Sequence, residues 1–144
     1  MSYTADLLDG IARHLAAAGV GTYRPDGVYG PDETAITIAT VPPTPDRIIC
    51  LTDYPVEDSA ALTDTTTGVQ VRTRAGTDPR EVADLDDAVH NALQGTGRHP
   101  WGDAYVSLIY RTSASPLGQD ANGRHERTAN YYCRANRRGA EHLE

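Results

Sequence analysis

Along the first eighteen residues, apolar side chains return every three or four positions: Tyr3, Leu7, Leu8, Ile11, Leu15 and Ala18 form one stripe of an amphipathic helix. Gly19 stands where such a helix stops. Gly10 weakens its middle by about 1 kcal/mol relative to alanine, so contacts with the rest of the fold must hold it. The next stretch, VGTYRPDGVYGPD, begins as a short strand and fills with turn residues. TAITIATV (34–41) and DRIICLTDY (46–54) are β-branched runs divided by PPTP, and they predict paired or neighbouring core strands with Ile36 and Ile38 on one face. The polar stretch 55–67 reads as a long connecting loop, a place for assembly contacts or for binding a host factor. GVQVRTRAG then alternates Val69, Val71 and Thr73 with Gln70, Arg72 and Arg74, a strand with one wet face.

TDPREVADLDDAVHNALQG (77–95) predicts a second helix. Asp78 is the N-cap, Pro79 suits the first turn, and Glu81 completes a capping-box pattern. Val82, Leu85, Val89, Ala92 and Leu93 form its buried stripe, with Asp84, Asp86 and Asp87 expected on the exposed side. DAYVSLIYRTSA and RTANYYCRAN alternate as strands, joined by SASPLGQDANGRHE as a wide loop. The order predicts an α+β fold: a mostly antiparallel sheet covered on one face by two amphipathic helices. Residues 1–138 read as one domain and 139–144 as a mobile tail.

A chain of 144 residues buries roughly 68–70% of its unfolded surface, enough for a core without staples. No apolar run is long enough to span a membrane, and no secretory signal is legible. The net charge of -7 argues against nucleic-acid binding through a basic patch. The charge is uneven: residues 1–70 hold three arginines against ten carboxylates, whereas 111–138 hold six against two. Opposite-signed segments suit a protein that docks against its own copies or a shaped partner, although charges that alternate around a solvated surface would give the same count.

No metal or cofactor is predicted. The five histidines are scattered singly and Cys50 and Cys133 are far apart. Neither GVGTY nor NGR has phosphate-loop spacing. Cys133 with His125 is the minimum for a small cysteine hydrolase, but alternation places Cys133 on the core side with Ala129, Tyr131 and Ala135. Arg72 and Arg74 on the wet strand, with Asp120, Arg124, Arg127, Tyr132 and Arg134 near the last hairpin, are the candidate contacts with a neighbouring subunit or partner.

PLGQDANGRHERTANYYCRAN, with the preceding order of elements, resembles the minor capsid or tail terminator (tail completion) proteins of long-tailed bacteriophages. The matching positions are Pro116, Gly118, Asp120, Gly123, Arg124, Asn130 and Tyr131. The resemblance implies a virion subunit, assembled in the bacterial cytoplasm, that forms a hexameric ring on the end of the tail tube. That ring would stop tube growth and present a surface to the head-tail connector. Another head-completion or neck protein is the alternative within this class. Such a subunit needs no active site.

Overall fold

The computed structural model describes residues 2–58 and 64–137. In chain order the elements are α1 (Tyr3–Ala17), β1 (Thr22–Tyr23), β2 (Ala35–Ile38), β3 (Ile48–Asp58), β4 (Asp64–Arg74), α2 (Pro79–Leu93), β5 (His99–Trp101), β6 (Ala104–Gln119) and β7 (His125–Arg137). All seven strands join one sheet in the order β1-β2-β3-β4-β7-β6-β5. Its larger part is antiparallel, but β1, β2 and β3 run parallel to one another, so the sheet is mixed.

Local chemistry sets the helix ends. The Ser2 hydroxyl accepts from the Ala5 N–H at 3.2 Å, and the Asp78 carboxylate accepts from the Arg80 N–H at 3.0 Å. Glu81 reaches back beyond the cap, accepting from the Gly76 N–H at 3.0 Å. At the other end of α1, Gly19 takes a φ of 79°, while the Gly19 and Val20 N–H groups close on the Ala16 and Leu15 carbonyls.

The stripes of α1 and α2 meet alternate residues of the central strands in one cluster, which includes Leu7, Ile11, Leu15, Leu85, Val89, Ile49, Leu51, Val69, Val71, Ile109 and Tyr131. Each large apolar side chain buried here contributes about 1.5–3 kcal/mol relative to exposure. Gly10 is explained by this packing: the Trp101 ring lies where its side chain would be. A smaller cluster of Ala35, Ile48 and Cys50, with Tyr29 and Val41, sits on the opposite side of the sheet.

Four expectations need correction. The 55–67 stretch is largely strand, because β3 runs to Asp58 and β4 begins at Asp64, leaving 59–63 outside the described residues. Residues 55–58 are exposed, so no buried side marks their alternation. The supposed wide loop at 113–126 is mostly strand too; β6 extends to Gln119 through register shifts near Val106, Arg111 and Pro116, and these bulges break the alternation. Asp86 is only 1% exposed, since its place one turn from Val82 and Val89 turns it inward. Arg74 is also buried, at 3% exposure, although strand alternation put it on the wet face. The predicted tail, 139–144, lies outside the described residues.

Candidate assembly face

Val69 and Val71 face the helices, so Gly68 and Gln70 point to the other side of β4. Gly68 is in register with Tyr54 on β3 and Tyr132 on β7, and Tyr132 is in register with Tyr110 on β6. Three tyrosines and one glycine thus form a row across four strands on the face away from the helices. The glycine is required because the Tyr54 ring lies over its backbone; a Cβ there would fall 2.8 Å from Tyr54 Cδ2. Tyr110 and Tyr132 meet edge-on at 5.9 Å, and the Arg134 guanidinium stands 5.6 Å from the Tyr110 ring centre.

Hydrogen bonds tie the same row together. Tyr54 donates its hydroxyl to Asn130 Oδ1 at 3.0 Å, and Asn130 Nδ2 donates to Ser113 Oγ at 3.0 Å. Flat aromatic rings with polar ends, fixed before any partner arrives, offer contact area with little ordering entropy left to lose. An open cleft of about 450 Å³, lined by Glu57, Asp64, Thr65, Ser107 and Arg134 among others, adjoins the row.

The candidate residues divide by location. Arg72, Tyr132 and Arg134 share the tyrosine face, with Arg72 paired to Glu126 through two contacts of 2.9 and 3.2 Å. Arg74 lies beneath the 42–46 segment and donates to the carbonyls of Pro42, Pro45 and Asp46 at 2.7, 2.8 and 2.9 Å. Burial, and the nearby Arg124, lower its pKa. Asp120 and Arg124 form the β6–β7 turn. Arg124 bonds Asp120 at 2.8 Å, the Pro43 carbonyl at 2.7 Å and Asp46 at 3.1 Å, locking the turn onto that segment. Arg127 lies under α2, 3.4 Å from the buried Asp86 carboxylate. Four of the arginines singled out therefore have work inside the subunit, and Tyr54, Gly68 and Tyr110 are the face residues that sequence reasoning missed.

The chemistry around Cys133 is that of a core residue. It has no exposed surface, and burial pushes its thiol up to about 12. His125 is eight residues away on the same strand, β7, which separates the two by roughly 26 Å at strand rise. Among the described residues no group of three or more histidine, cysteine, aspartate or glutamate side chains converges to hold a metal ion. No described helix is long and apolar enough to cross a membrane.

No curated protein matches the chain in sequence. A chain from a solved structure described as the virion of a native gene transfer agent particle is similar at 12% identity, with a TM-score of 0.71 over 93% of this chain and 97% of that one. At that identity the likeness is one of fold. The family model described as bacteriophage tail terminator protein matches residues 14–137, from the last turn of α1 to the end of β7, so the chain belongs to the bacteriophage tail terminator family.

Proposed function

We propose that this chain is a structural virion protein that caps the phage tail tube as a ring, ends tube polymerisation and helps join the tail to the head. The observation that carries the reading is the tyrosine row on the face away from the helices, a prepared contact surface in a chain of this family. Arg72, Tyr132 and Arg134 take the partner contacts there. Asp120, Arg124 and Arg127 act on assembly indirectly, by fixing the turn and the helix that frame the subunit. The partners are further copies of the chain, most simply six in closed symmetry, then the tube protein on one side and the connector on the other.

Light scattering across a range of concentrations, with and without tail tubes, tests this reading. A closed oligomer of defined mass is expected, weakened by Tyr132→Asp without loss of folding. A species that stays monomeric even beside tubes overturns it. The cysteine hydrolase reading is disfavoured by the burial of Cys133 and its distance from His125.

A further inference from the structure

The last eight residues of β6, 112–119, have β7 on one side and an open edge on the other. β5 pairs only as far as Val106, and Thr96 and Gln94 take the outward bonds of Ile109 and Arg111. Beyond Arg111 no described segment continues this role, and all eight residues are exposed. Exposed strand edges are ordinarily guarded by charge. This one, TSASPLGQ, has none in a chain that is 23% charged, and its Leu117 is 50% exposed. Its bulges and Pro116 limit the edge to a short, shaped pairing site in place of an open-ended template.

The opposite edge of the sheet is complementary. It is the two-residue β1, followed by a loop whose Val28 is 91% exposed, the most exposed large apolar side chain described. One subunit cannot bring these edges together, because five strand spacings put them roughly 24 Å apart along the sheet.

Register supplies the decisive point. Following the pairs across the sheet, Thr22 leads to Ala35, Ile48, Arg74, Glu126 and Gly118, and Tyr23 leads to Ile36, Ile49, Thr73, Arg127 and Pro116. The two free edges therefore occupy the same rows, and β1 runs antiparallel to β6. A head-to-tail contact between them continues the sheet without lateral offset, as a heterologous contact must if the rotation between subunits is to close it into a ring.

We propose that the open 112–119 edge of β6 docks the β1 edge of a second copy of this chain, bringing Leu117 toward Val28. This rests on the ring-forming reading above and specifies its subunit contact. The test uses the full chain with Val28→Cys and Leu117→Cys, singly and together, treated with a bifunctional maleimide; the native Cys50 and Cys133 are buried. The double variant is expected to give a covalent ladder that ends at the ring, and neither single variant is. Leu117→Arg is expected to weaken self-association by at least about tenfold while the melting temperature holds. A wild-type oligomer that forms normally but cross-links only between two Leu117→Cys sites, or that Leu117→Arg leaves intact, overturns this contact alone. A wild-type chain that never self-associates overturns the ring itself.

Discussion

Replacing Gly10 by alanine tests the packing of α1 because two effects of opposite sign compete there. In an exposed helix interior the change stabilises by about 0.8–1.0 kcal/mol. Here the new Cβ falls 2.5 Å from Trp101 Cγ, with two further ring atoms closer still. Ordinary carbon contacts lie at about 3.5–4.0 Å, so the ring must retreat by at least about 1 Å. Overpacking of this kind costs about 1–3 kcal/mol, and the retreat also disturbs the stack of Trp101 on His99, 4.3 Å apart and 8° from parallel. Such a ring pair contributes about 0.5–1.5 kcal/mol. The net expectation for Gly10→Ala is a loss of about 1–3 kcal/mol, seen as a fall of about 3–10 °C in melting temperature. Trp101 is the only tryptophan, so its emission reports the displacement directly. In a Trp101→Ala background the same glycine change should stabilise by about 1 kcal/mol, a reversal of sign that a double-mutant cycle reads cleanly. If Gly10→Ala raises the melting temperature with Trp101 present, the close approach of ring and helix is wrong.

Leu85→Ala, at a side chain 3% exposed, should lower stability by about 2–5 kcal/mol in denaturant unfolding. Cys133 should react with a thiol reagent only on the timescale of unfolding, since burial holds its thiol near 12; rapid modification of the native protein would contradict its core position. Asp78 is held down to about 2 by hydrogen bonds from the Arg80 side chain and backbone, below its ordinary 3.8. Its charge therefore stabilises the fold above about pH 4 and ceases to do so as pH falls through about 2. The stability difference between the wild type and Asp78→Asn should shrink across that window, and a difference that grows toward acid would refute the sign.

The two helices were legible because a buried stripe repeats at helical spacing and because Asp78-Pro79 and Gly19 mark ends by local chemistry. Strand extent was not, where burial is absent: residues 55–58 and 112–119 are exposed and bulged, so no apolar alternation records them. The parallel pairing of β2 with β3 escaped for another reason, since the intervening residues include no helix that would announce a crossover. Arginine was the least legible residue type. Arg74 and Arg124 look like surface charge in sequence, yet they bind carbonyls and carboxylates of the 42–46 segment, contacts more than twenty residues away along the chain. Tyr132 and Arg134 were visible as alternating strand residues, whereas their partnership with Tyr54 and Gly68 depends on a register no local pattern encodes.

The proposed role, limiting a growing tube by covering its end, is read most directly in the length distribution of tails. Electron microscopy of particles from a phage lacking this gene should show tails of uncontrolled length, restored to a single length by the wild-type chain and not by Tyr132→Asp. Tails of normal, uniform length in its absence would contradict the claim.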